Sequence, residues 1–112
     1  MGQMNIKLVR DKIPQIIKEN NQEPHWFHAD QQEYRDALFT KMQEELQEFI
    51  ENPCMEEAAD MFEVWLAIVK EWNMLPIDVT SCANKKRLDR GGFNNRVMLI
   101  IDDEELSRKE TD

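Results

Sequence analysis

Cysteine is scarce in this chain, with only Cys54 and Cys82, far apart and in no CxxC pair. That argues against a disulfide or zinc framework and makes a reducing, cytoplasmic compartment the expected location. Long apolar runs are missing too: none approaches the roughly 20 residues needed to span a bilayer. The opening stretch "MGQMNIKLVRDK" has no apolar region of the secretory-leader kind. Gly2 invites comparison with an N-myristoylation signal, but Ile6 stands where that signal wants Ser or Thr. No membrane partner is expected. Positive charge is in short supply as well, with 14 Lys and Arg against 23 Asp and Glu and a net charge of −9. Such a chain repels polyanions, so no nucleic-acid polymer is expected as a partner. A small phosphorylated ligand stays compatible, because a metal ion can mediate that contact. No repeat, low-complexity block or linker interrupts residues 1–112, a length that fits one domain with a modest core.

What is present reads as helix. "RDKIPQIIKENN" offers Asp11 as a cap and Pro14 early in a short helix. "EPHWFHAD" follows a turn-like "NNQ" and suits a short extended piece. A long amphipathic helix is expected from about Asp30, its N-cap, with Glu33 completing a capping box, to Asn52–Pro53. A third helix is expected from about Met55 to Asn73, and a fourth from Pro76 to Gly91–Gly92. "RVMLII" is the best strand candidate, with "HWF" as its pairing partner. The closing "DDEELSRKETD" is polar and expected to fray. The fold class expected is all-α, a bundle of four main helices with a minor β element. It should dimerise or assemble further, because the third helix is apolar around much of its circumference.

The stretch "EELQEFIENPCMEEAAD", residues 44 to 60, holds seven carboxylates. At about 100° per residue, Tyr34, Leu38, Met42, Leu46 and Phe49 form one apolar stripe on the second helix. Glu45 points between Tyr34 and Leu38, inside that stripe; Glu48 lies on its edge, and Glu44 further round toward solvent. On the third helix Glu57 shares a direction with Val64 and Ile68, and Asp60 with Ala67, whereas Glu56 and Glu63 fall in the polar sector. The turn "ENPC" is short, so the two helices should be antiparallel neighbours. Each pair is spaced i, i+3, which puts both side chains on one face. Four like charges facing one another are unfavourable without a counter-charge, and a hard divalent cation supplies one. The pattern alone is equally compatible with seven surface charges on a bundle.

A second cluster, "NKKRLDRGGF", concentrates cations in an acidic chain: Asn84, Lys85, Lys86, Arg87 and Arg90, with Lys86 and Arg90 at i, i+4. Such side chains can hold phosphates that a metal does not neutralise. They can equally be cations favoured at a helix C-terminus by its dipole.

Together these motifs carry a resemblance. "EELQE" resembles the EExxE motif, and "EAAD" the ExxD motif, of the MazG-like all-α nucleoside triphosphate pyrophosphohydrolases. The ends "KLVRDKIPQII" and "KKRLDRGGF" look like those of the branch labelled phosphoribosyl-ATP pyrophosphohydrolase-like. The resemblance covers roughly residues 6 to 101. The eight residues between EExxE and ExxD are fewer than in the broader superfamily, which bears on the width of the pocket. The resemblance implies that Glu45, Glu48, Glu57 and Asp60 coordinate Mg²⁺, with Mn²⁺ as a substitute. It implies that Asn84, Lys86 and Arg90 meet substrate phosphates, and that Glu44 orients or deprotonates the attacking water. The implied reaction is Mg²⁺-dependent hydrolysis of a nucleoside triphosphate to the monophosphate and pyrophosphate, in the clearing of non-standard nucleotides. The alternatives are a phosphoribosyl-ATP pyrophosphohydrolase of histidine biosynthesis and a non-catalytic helical dimer that binds metal or nucleotide. The sequence does not identify the base.

Other residues carry blander expectations. Trp26, Trp65 and Trp72 suit core or dimer contacts. His25 and His28 flank "WF" without an acidic or Cys partner, which argues against zinc. Arg10 and Lys12 are either structural or reach the phosphate site from a neighbouring segment.

Overall fold

The structure is a computed structural model that describes residues 5–101. Gly2 and the polar tail from residue 102 lie outside the described residues. Four helices follow one another: α1 (Ile13–Glu19), α2 (Gln31–Glu51), α3 (Met55–Glu71) and α4 (Pro76–Arg90). The chain divides into two compact units, Met1–Val79 and Thr80–Asp112.

Helix boundaries follow local chemistry. The Asp30 carboxylate accepts from the Glu33 amide at 2.9 Å, and the Glu33 side chain accepts from the Asp30 amide at 2.9 Å. This reciprocal capping box satisfies two donors that α2 would otherwise leave unpaired. The opening of α1 differs from the expectation: its N-cap is Lys12, without a side-chain cap, and not Asp11. Pro14 in the first turn has no N–H to satisfy, and the Ile13 amide already donates to the Arg10 carbonyl at 3.0 Å, so the start needs less from an Asp side chain. Helices α1 and α3 both end on an asparagine with positive φ, Asn21 (63°) and Asn73 (60°). In each, the next amide reaches back into the helix: Gln22 to the Ile17 carbonyl at 3.2 Å and Met74 to that of Val69 at 2.9 Å. These are Schellman closures, with Asn in the left-handed position it tolerates better than most residues.

In the first unit α2 and α3 pack against each other. Their connection is only Asn52–Cys54, and Pro53 prevents one continuous helix. They run antiparallel, since Arg35 near the start of α2 meets Glu71 at the end of α3, and Glu45 and Glu48 meet Glu57 and Asp60. Among the described residues Leu38 and Val69 are the buried apolar side chains, Leu38 fully so. Above them the Arg35 Nε donates to the Glu71 carboxylate at 2.9 Å, the Arg35 guanidinium lies 4.9 Å from the Trp72 ring centroid, and Phe39 packs on Trp72 at 5.3 Å. The stripe expected on α2 is only partly covered: Tyr34, Met42 and Phe49 are half-buried, while Leu46 is exposed. The segment before α1 lies along this pair. Lys7 reaches Glu44 of α2, Arg10 reaches Asp60 of α3, and the Asp11 charge bears on Tyr34, whose phenol is pushed above its usual range first by burial, then by Glu71 and Asp11.

The second unit holds most of α4, closed by Gly91 at φ 84° with its amide on the Arg87 carbonyl at 2.8 Å. No strand occurs among the described residues. Neither "HWF" nor "RVMLII" carries a ladder, so the expected β element is absent there; an apolar, β-branched run stays unpaired unless another backbone offers it hydrogen bonds. No helix of the described residues is long and apolar enough to cross a membrane.

Candidate metal centre

The i, i+3 spacing on two antiparallel helices brings Glu45 and Glu48 of α2 opposite Glu57 and Asp60 of α3. One carboxylate oxygen of each can be chosen so that all four lie within 4.8 Å of one another. The four differ in burial. The Glu45 side chain is only 8% exposed, Glu57 and Asp60 are half-buried, and Glu48 is open to solvent. The Oε2 atoms of Glu45 and Glu57 are buried without a hydrogen-bond partner. Buried polar atoms are ordinarily paired, and a carboxylate oxygen left bare in a like-charged cluster is the arrangement a cation would complete.

Electrostatics support the same view. Burial pushes the Glu45 carboxyl above the usual carboxylate range; the Lys41 hydrogen bond opposes this, and the neighbouring Glu48 charge adds to it. Lys41 Nζ stands 3.3 Å from Glu45 Oε1, and Arg10 Nη2 stands 2.9 Å from Asp60 Oδ1. Four carboxylate charges less the two charges of Arg10 and Lys41 leave a formal excess of two negative charges. A single divalent ion balances that excess. The donors are all hard carboxylate oxygens, which suit Mg²⁺, Mn²⁺ or Ca²⁺ and not a thiophilic metal. The group can therefore hold a metal ion.

Glu44 sits apart from the cluster. Its carboxylate is shared by Lys7 at 3.9 Å and Lys41 at 3.8 Å, beside a cleft of about 110 Å³ lined by Lys7, Thr40, Lys41 and Glu44 among others. Asn84, Lys86 and Arg90 are exposed on α4, in the second unit. Asn84 Oδ1 accepts from Arg87 at 2.7 Å. His25 and His28 are exposed, His28 edge-on to Trp26 at 5.0 Å, and neither belongs to a metal-binding group of the described residues.

Sequence reasoning missed Lys41 and left Arg10 undecided. Lys41 was legible, since Lys at i with Glu at i+3 and i+4 is a standing surface pair on a helix. Arg10 was not, because its partner is 50 residues away.

Comparison with known protein families, curated proteins and solved structures found no match.

Proposed function

We propose that the chain is a Mg²⁺-dependent nucleoside triphosphate pyrophosphohydrolase. The observation that carries this reading is the four-carboxylate group on α2 and α3, with two of its buried oxygens unpartnered. The resemblance of "EELQE", "EAAD" and "NKKRLDRGGF" to the motifs of MazG-like enzymes supports it.

Glu45, Glu48, Glu57 and Asp60 are the ligands. When bound, Mg²⁺ supplies charge neutralisation on the phosphates and a more acidic water. The protein supplies position. Two helices joined by three residues and packed against each other hold the carboxylates in register. Asn84, Lys86 and Arg90 bind phosphate oxygens. Glu44, held by Lys7 and Lys41, orients the attacking water. Water adds at the α-phosphorus, the α–β anhydride breaks, and the nucleoside monophosphate and pyrophosphate leave with the released proton passing to solvent.

A second copy of the chain completes the assembly. Phe39, Leu46 and Ile50 are exposed on α2, and Phe62 of α3 is 58% exposed and stacked on Trp65 at 5.8 Å. Apolar side chains in such number call for a partner surface. The "RVMLII" run can acquire strand character only against a backbone that another chain supplies.

The test is a screen of standard and damaged nucleoside triphosphates, with phosphoribosyl-ATP included, at millimolar Mg²⁺ with pyrophosphate detected. Release from a nucleoside triphosphate, lost on chelation, is the expected result. Release from phosphoribosyl-ATP alone would reassign the substrate, and Mg²⁺ binding without any turnover would make the chain a metal-binding module.

A further inference from the structure

The carboxylate centre is edged by a second set of cations that the motif pattern does not assign. The segment before α1 is non-helical and places Lys7 and Arg10, three residues apart, along the rim of α2 and α3. Arg10 is anchored through one nitrogen, Nη2, on Asp60 Oδ1 at 2.9 Å, while its side chain is 58% exposed. A guanidinium carries five N–H donors in a planar fork. One anchored corner leaves the others facing solvent beside a cluster that can hold a cation. Lys7 is equally exposed and stands on Glu44, one residue before Glu45. The cleft behind it adds Thr40 and Lys41.

The arrangement has a physical reading beyond charge compensation. An Asp oxygen that accepts from Arg keeps its second oxygen for a metal, a common way of orienting a ligand. An exposed guanidinium held on Asp60 stands beside the group that can hold a cation. Any phosphate drawn to the cation then meets the fork, and Arg matches phosphate geometry bidentately. Exposed ion pairs contribute little to stability, so the Arg10–Asp60 pair is poorly explained as a fold-stabilising contact.

We propose that Arg10, assisted by Lys7, is a phosphate-binding arm for the polyphosphate chain of a metal-bound substrate. It lies in the first unit. The proposal rests on the metal-centre reading above, and its test separates the two.

Mn²⁺ binding is measured by the loss of the free-ion paramagnetic signal. Binding of inorganic pyrophosphate is then measured by calorimetry at fixed free Mn²⁺. The variants are Arg10→Gln, Arg10→Lys, Lys7→Gln and, as a control for net charge, Lys18→Gln. Arg10→Gln should leave Mn²⁺ affinity within about twofold and lower pyrophosphate affinity about tenfold, the scale of one charge-assisted contact at a partly exposed site. Arg10→Lys should recover part of the loss, Lys7→Gln should lose about threefold, and Lys18→Gln should stay within about twofold. A parallel fall of Mn²⁺ and pyrophosphate affinity in Arg10→Gln would overturn the proposal, leaving Arg10 as a residue that only orients Asp60. An equal loss in Lys18→Gln, an unchanged pyrophosphate affinity, or no pyrophosphate binding by the Mn²⁺-loaded wild type would overturn it too. Failure of the wild type to bind Mn²⁺ would remove the metal centre itself, and this arm with it.

Discussion

Glu45 is the residue on which the reading turns. Its carboxylate is buried in an α2–α3 seam, one oxygen held by Lys41 and the other bare. With the pKa raised in the folded state, the folded chain takes up this proton more readily than the unfolded chain does. The stabilising contribution is therefore present below the ordinary carboxylate pKa and is lost as pH rises through the raised value. Glu45→Gln removes that loss. In the metal-free protein it should raise stability at neutral pH by on the order of 1 kcal/mol, or roughly 4–8 °C for a small domain. The gain should disappear near pH 4, which thermal melts across pH would show. With Mg²⁺ present the sign inverts: the same variant, and Asp60→Asn, should bind the ion weakly and lose nearly all turnover. Glu56→Gln and Glu63→Gln, in the polar sector of α3, should be close to neutral in both measurements.

At the scale of elements, α2 carries the most local design. Its Asp30–Glu33 box secures one end and the Arg35–Glu71–Trp72 contact ties that end to α3. Asp30→Ala should cost about 0.5–2 kcal/mol in chemical denaturation. Because Glu45 and Glu48 lie about four to five turns away along α2, Mg²⁺ affinity of the folded fraction should stay at its wild-type value. Helix α4 poses the opposite test. If its cations only favour the helix C-terminus, Arg90→Ala should cost about 0.3–1 kcal/mol and leave catalysis alone. If Arg90 binds phosphate, kcat/KM should fall roughly tenfold or more at nearly unchanged stability. The proposed function requires the second outcome, and kinetics and melts on one sample decide between them.

At the scale of the molecule, the balance between buried and exposed apolar groups dominates. Leu38 and Val69 alone are buried among the described apolar side chains, while Phe39, Leu46, Ile50 and Phe62 stand open on the two packed helices. A core of that size leaves a small unit marginal, and under the proposed assembly burial of the open side chains against a second copy would offset the deficit. The chain should sediment as a dimer or larger at micromolar concentration, with a melting temperature that rises with concentration. Phe62→Lys should shift the mass toward monomer and lower the melting temperature. A wild type that stays monomeric, with no concentration dependence, would leave the exposed stripe without this role.

Helical periodicity and punctuation determined the four helices and separated Glu45, Glu48, Glu57 and Asp60 from their three acidic neighbours. Both signals are local: caps, prolines and a 3.6-residue repeat act within a turn or two, so they can be read residue by residue. The turn at "NNQ" was legible, but the Schellman closures at Asn21 and Asn73 were not read from the sequence, and α3 ends at Glu71, two residues before the expected Asn73. Tertiary structure alone decided what depends on distant partners. That Glu45 is buried while Glu48, one turn on, is exposed depends on what packs around each, and Arg10 meets Asp60 only in the folded arrangement of α3 and the segment before α1. The strand expected at "RVMLII" shows the limit from the other side. β-branched composition prepares a run for a sheet, but a strand exists only where another backbone accepts its hydrogen bonds, and among the described residues none does.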